Sequence, residues 1–323
     1  MVMLGYALAS EEHGPRDLVR YAQMAEEAGF AFAGISDHYH PWLDQQGQSP
    51  FVWTVIGGIA QATHRLQLGT GVTCPIVRMH PAIVAQAAAT AAAMLDGRFF
   101  LGVGTGENLN EHIVGQRWPR PGVRLRMLEE AVRIMRLLWG GGYVSYEGQY
   151  FTVDRARIYT LPPEPPRLFM AAAGPRSASL AGRIADGLVC VAPQRELVER
   201  FRAAGGEGKP VVGEVTVCWA ESEEAARRTA HRWWANTALR GELLQELPTP
   251  AQFEQAVAPL REEDVAEHIV CGPDAERHLQ RIAEYVEAGF DHIYVHQVGP
   301  DQEGFFRFYQ RQVLPRLNRL TTR

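Results

Sequence analysis

Three short stretches of this chain carry the residue types that acid–base and anion-binding chemistry require. The first is Ser36-Asp37-His38-Tyr39-His40, which directly follows the apolar run Phe32–Ile35. Imidazole titrates nearest neutrality among the common side chains, so His38 is the better acid or base of this group. The second is Gly102-Val103-Gly104-Thr105-Gly106-Glu107, continued by Asn108-Leu109-Asn110-Glu111. Its glycines let a ligand approach the backbone, and Glu107 offers the second member of an acid–base pair with His38. The third is Ala172-Ala173-Gly174-Pro175-Arg176-Ser177, a Gly-Pro turn that opens a helical pattern. The free N–H groups and positive end of such a helix suit a phosphate, with Arg176 and Ser177 as added donors. Each stretch also has a plainer reading: Asp37 as a cap, His38 at the surface, Glu107 solvated, the third turn an ordinary connection.

Residues so spread along the chain need a scaffold that gathers them. Eight short apolar runs read as strands: Leu4–Leu8, Phe32–Ile35, Leu66–Val72, Phe99–Val103, Leu168–Ala172, Leu188–Val191, Val211–Cys218 and Ile293–Val295. Between them lie helical patterns, including Pro15–Ala28 stopped by Gly29, the series Leu125, Leu128, Val132, Met135 and Leu138, then Glu223–Thr237, Ala275–Ala288 and Phe305–Leu317. Near-continuous apolar strands suggest a parallel sheet buried on both faces, and eight such units predict one α/β domain over 1–323, a (β/α)8 TIM barrel with insertions. The rival is a doubly wound sheet, which calls for a G-x-G-x-x-G turn that the glycines at 102, 104 and 106 do not match. The expected insertions are His38–Ser49, Thr105–Pro121 and Gly140–Pro166, the last as a hairpin of Tyr143–Tyr146 with Gln149–Val153. In a barrel the loops after the strands build the site, which places all three chemical stretches at one mouth.

Composition narrows the function classes. Basic residues number 32 and acidic ones 37 in 323, a net charge of −5 without a basic cluster, which speaks against nucleic acid. Met1–Ser10 lacks a basic flank and Ala82–Leu95 is interrupted by Gln86 and Thr90, so neither a leader nor a membrane span is expected. Cys74, Cys190, Cys218 and Cys271 form no CxxC pair and read as reduced thiols of a cytoplasmic protein. A metal reading of His38 and His40, with His80 or His296, lacks the carboxylate or lysine at later strand ends, so no metal is expected. Trp53 reads as core, whereas Trp42 in the polar loop suits a planar ligand.

Together Gly34–His38 with Trp42, Leu68–Val72, Phe100–Glu111 and Ala172–Pro175 resemble the luciferase-like monooxygenase superfamily. The nearer likeness is to its branch using the deazaflavin coenzyme F420, which includes glucose-6-phosphate and secondary alcohol dehydrogenases. The resemblance implies a barrel, a homodimer and F420 in the mouth. It implies Asp37, Cys74, Thr105, Gly106 and Asn110 at the cofactor, with Ala173, Gly174, Arg176 and Ser177 at its phosphate. It also implies a non-proline cis peptide behind the ring at Gly71–Val72, His38 and Glu107 as the acid–base pair, and Trp42 as the aromatic residue of the site.

The departures concern substrate. Val191 and Gln194 stand where the sugar-phosphate enzymes have a phosphate-binding set that includes lysine, and Glu267 stands in place of an arginine. A site without those cations should bind a phosphomonoester poorly, so a small neutral alcohol or ketone is expected. The alternatives are an FMN-dependent monooxygenase of the same superfamily and a cofactor-binding protein without catalysis.

Overall fold

A computed structural model describes residues 2–319 and places eight parallel strands in a closed ring. In chain order these are β1 (Met3–Leu8), β2 (Phe32–Ile35), β3 (Gln67–Thr70), β4 (Phe99–Val103), β5 (Arg167–Ala171), β6 (Gly187–Cys190), β7 (Val211–Cys218) and β8 (His292–Gln297). Each pairs with the next, and β8 pairs back onto β1 with Leu4 opposite Ile293. The chain is therefore a (β/α)8 barrel, as the alternation of apolar runs and helical patterns predicts.

Glycine and aromatic residues on neighbouring strands share the space inside the ring. A Cβ on Gly5 would stand 2.6 Å from the Phe32 ring, and one on Gly69 would stand 2.0 Å from that of Phe100. The small residue on one strand thus makes room for the large one on the next, and Phe32, Phe169 and Tyr294 fill the interior. The outer faces of the strands bury against the helices in a second, larger core that includes Leu8, Ile35, Leu68, Leu101 and Leu128. Helices Pro15–Ala28, Pro81–Met94, Pro121–Trp139 and Pro175–Ile184 each begin with proline, whose missing N–H costs nothing in the first turn. Helix Pro15–Ala28 ends on Gly29 at φ 101, a left-handed position that favours glycine.

Three expectations need correction. The third strand ends at Thr70 and not at Val72, while the peptide Gly71–Val72 beyond it is cis, as the resemblance implies. The hairpin is Val144–Glu147 with Thr152–Ala156, three residues later than expected in its second strand. Its turn is set from outside, because Glu130 accepts the N–H groups of Gln149, Tyr150 and Phe151 and removes them from the ladder. The largest insertion was not expected as one, although its first helix was. After β7 the chain makes helices Glu223–Trp234, Leu243–Glu246, Pro250–Val257 and Glu262–Ala266 before Val270–Cys271 rejoins the end of β7. Trp234, Phe253 and Val265 from this segment bury with Leu43 and Leu109 from the loops after β2 and β4. That small core ties three mouth loops together. Among the described residues no helix is long and apolar enough to cross a membrane.

Candidate active site

His38 lies three residues beyond the end of β2, and its ring is gripped on both sides. Its Nε2 stands 3.3 Å from Oε1 of Glu11, in the tight turn after β1. The Glu11 carboxylate also accepts from the Ser36 hydroxyl at 2.5 Å. Burial pushes the Glu11 carboxyl up, but the His38 charge and the Ser36 hydrogen bond outweigh it and hold its pKa below the ordinary value. The other ring nitrogen, Nδ1, faces the His40 carbonyl at 3.1 Å and the Asn110 amide nitrogen at 3.3 Å. A proton acceptor and a donor therefore flank the same atom, and the surroundings suit the ring both with and without a proton there.

Asn110 is the connection between the two chemical stretches. Its Nδ2 donates to Glu107 Oε2 at 3.2 Å as well as facing His38, while its Oδ1 accepts from the N–H groups of Tyr39 and His40. His38 and Glu107, predicted as a pair, are thus joined through one buried amide. Glu107 stands at the position before the short helix Asn108–Glu111, makes no cap hydrogen bond with its side chain and is half-buried. Trp42 packs with its ring centroid 4.9 Å from that of His38 and 5.2 Å from that of Phe253. Its backbone N–H donates to Gln46, which in turn donates to the Trp233 carbonyl, so the insertion after β7 holds the loop over His38.

The remaining predicted residues fall on two sides of the mouth. Asp37 is buried, with Thr73 donating to Oδ2 at 2.7 Å and Arg78 to Oδ1 at 2.8 Å. Arg78 also gives its backbone N–H to Glu111 at 2.7 Å, and burial raises the Glu111 pKa to about 7. Gly71 donates its N–H to Ile35 at 2.7 Å, which keeps the cis peptide beside the end of β2. Cys74 packs under Gly106, whose φ of +72 and whose missing Cβ, which would sit 2.5 Å from Sγ, both require glycine. Burial pushes the Cys74 thiol well up, so it is no nucleophile at neutral pH. Thr105 is half-buried beside it, and Val72 lies against the barrel interior.

Across the mouth, Gly174 precedes the helix Pro175–Ile184 and has no side chain to cap it. A Cβ there would meet nothing within 4 Å. The Ser177 hydroxyl accepts from the Gly174 N–H and donates to its carbonyl at 2.9 Å, so the backbone supplies the free donors of this turn and the hydroxyl does not. Ala173 and Arg176 are exposed, as are Gln194 and Val191, the last at 71%.

Several buried groups escaped the sequence reading. Glu11 and Glu12 follow a barrel strand directly, the same signal that singles out His38. Glu12 accepts from the Trp234 indole and the Gly299 N–H, and burial raises its pKa to about 7. Glu214 and His296 face each other at 3.2 Å, and burial pulls the imidazole down less than Glu214 and Glu12 raise it. Among the described residues no three His, Cys, Asp or Glu side chains stand as a metal site. His40 points instead at the Leu109 carbonyl, and His80 caps its own helix.

Residues 3–292 match the family model described as luciferase-like monooxygenase. The chain belongs to that family. It is 36% identical over 327 residues to an F420-dependent glucose-6-phosphate dehydrogenase of Microbacterium testaceum, covering 98% of this chain and 97% of the relative. A protein of the same name from Mycolicibacterium gilvum is 37% identical over 331 residues, covering 98% of both. A solved structure, an F420-dependent secondary alcohol dehydrogenase in complex with an F420-acetone adduct, matches with a TM-score of 0.91 and 31% identity. It covers 98% of this chain and 99% of its own.

Proposed function

We propose that this chain moves a hydride between coenzyme F420 and a small neutral alcohol or ketone. The observation that carries the chemistry is the His38 ring, fixed by Glu11 on one nitrogen and by Asn110, with Glu107 behind it, on the other. The relatives named above, from both the sugar-phosphate and the alcohol enzymes, support the cofactor.

The residues at the mouth fit such a group. The space left at Gly174 and the uncapped turn behind it suit the phosphate, held by Ala173, Gly174, Arg176 and Ser177. Gly71, Val72, Cys74, Thr105 and Gly106 form the bare wall for the ring, shaped from behind by Asp37 and Asn110, whose polar atoms the protein already occupies. When bound, F420 supplies a carbon that accepts or returns hydride without calling on oxygen. His38 Nε2 takes the hydroxyl proton of the alcohol, and Glu11 beside it stabilises the charged ring. Nδ1 keeps its hydrogen on the His40 carbonyl before and after the transfer, which holds the ring in orientation. Glu107 serves the proton balance on the cofactor side, and Trp42 excludes water from above. The same proposal carries the homodimer and the cytoplasmic location expected from the sequence.

The neutral substrate rests on Val191, Gln194 and Glu267, which offer a phosphate no positive charge. The Arg78 guanidinium already faces Asp37, the neighbour of His38 in sequence, and Glu111. Introducing the missing cations, Gln194→Lys with Glu267→Arg, should raise kcat/KM for glucose 6-phosphate about tenfold or more relative to an alcohol. An unchanged ratio would remove these positions from substrate choice.

A further inference from the structure

Two buried histidines outside the acid–base pair are satisfied in opposite ways. His278, in helix Ala275–Ala288, uses both ring nitrogens: Nδ1 meets the Tyr309 hydroxyl and Nε2 the Gly272 carbonyl, each at 2.9 Å. Burial lowers its pKa to about 4, so it packs as a neutral ring. His296, near the end of β8, uses one. Its Nδ1 faces Glu214 at 3.2 Å, while its buried Nε2 has no hydrogen-bond partner among the described residues. A buried polar atom left bare is destabilising, so fit alone does not explain an imidazole at this place.

The surrounding charges explain it. Strand β8 lies between β1 and β7, and acids reach His296 from both sides. From β7 comes Glu214, whose other oxygen accepts from the Tyr294 hydroxyl at 3.1 Å. From the turn after β1 come Glu11 and Glu12, with His13 next to them. From the insertion after β7, Trp234 packs edge to face on the ring at 4.4 Å and gives its indole N–H to Glu12. Burial pulls the His296 pKa down, but Glu214, then Glu12 and Glu11, carry it above its ordinary value. His13 goes the other way, since burial and the His296 charge lower its pKa to about 4. His296 is therefore the cation of this cluster.

Glu11 answers to two imidazoles. His38 Nε2 stands 3.3 Å from its carboxylate, and the His296 charge also favours the ionised form. The two differ in timing. His38 is uncharged when it is ready to take a proton, and at that moment the His296 charge still faces Glu11. We propose that His296, paired with Glu214, is a positioning residue of the proton transfer, keeping Glu11 ionised while His38 waits uncharged. This rests on the acid–base reading of His38 above and adds a residue that touches neither substrate nor cofactor. The alcohol proton still goes to His38, and His296 neither gives nor takes one. Without the His296 charge, the buried Glu11 takes up a proton at higher pH, and a neutral carboxyl no longer stabilises the charged His38 ring.

The test is the pH profile of kcat for F420 reduction, with the fastest substrate among secondary alcohols and glucose 6-phosphate. His296→Gln should move the acid limb of the profile up by about one pH unit, because Glu11 then protonates earlier as pH falls. Its kcat on the alkaline plateau and its KM for F420 should stay near the wild type. His278→Gln, the same change at the neutral ring, should leave the limb where it is. An unmoved limb in His296→Gln, or a loss of kcat equal at every pH, would overturn the proposal and leave F420 dependence standing. An equal shift in His278→Gln would overturn it as well. Should His296→Gln fail to fold, nitrogen-15 spectra of the wild-type histidine rings decide. A His296 ring protonated on both nitrogens at neutral pH supports the proposal, and a neutral ring overturns it. A wild type that reduces F420 with none of these substrates would remove the acid–base reading itself, and this proposal with it.

Discussion

The two sides of the barrel mouth are built in opposite ways. On the β1, β2 and β4 side, Glu11, Asp37, Asn110 and Glu111 are buried, and each meets a protein partner. On the β5 and β6 side, Ala173, Arg176, Val191 and Gln194 are exposed, and the helix turn at Gly174 lacks a side-chain cap. A proton-transfer group works best when its surroundings are fixed before the substrate arrives. A ligand site must instead keep donors in reserve, at the cost of leaving them to water. Substitutions on the first side should therefore change rate or stability, and those on the second should change binding alone.

The largest effect is expected at His38. His38→Ala should lower turnover by about two to four powers of ten while F420 binding holds. Loss of cofactor affinity with normal turnover would reverse the assignment of the two sides. Asn110→Ala comes next, since it cuts the link between His38 and Glu107 and leaves the N–H groups of Tyr39 and His40 without their acceptor. It should cost about 1–3 kcal/mol in stability, read by denaturant unfolding, and slow turnover about tenfold. On the open side, Gly174→Val should weaken cofactor binding about tenfold with no change in melting temperature, because its added atoms enter empty space.

The buried side should also show a pH dependence. The Glu111 pKa lies at about 7 in the folded chain against an ordinary 4.5, so its contribution to stability is complete below 4.5 and is lost as pH rises toward 7. Glu111→Gln imitates the protonated acid, and its stability relative to wild type should rise over that window by up to about 3 kcal/mol. Parallel melting curves at pH 5, 6 and 7 read the difference, and a constant gap between the two proteins would contradict the raised pKa.

The barrel was legible because its strands are continuous apolar runs and four of its helices begin with proline. The helix start on the open side was legible too, since Gly174-Pro175 needs only local backbone to form it. The closed side was legible in its types, His38 and Glu107, but not in its wiring. That Asn110 joins them depends on the N–H groups of Tyr39 and His40, brought from another loop. The role of Glu11 depends on Ser36 and His38 across the β1–β2 pair. The insertion after β7 stayed hidden because three of its helices run only four to eight residues, too short to show a period. Trp42 and Phe253, far apart in sequence, meet in the core that holds it.

The central claim is that the closed side performs hydride-linked proton transfer on a neutral alcohol. It is tested most directly by mixing the protein with F420 and, separately, a series of secondary alcohols and glucose 6-phosphate. Loss of cofactor fluorescence reports reduction. The account predicts reduction with at least one alcohol at a kcat/KM well above that for glucose 6-phosphate. Reduction by glucose 6-phosphate alone would contradict the substrate, and no reduction by any of them would contradict the chemistry.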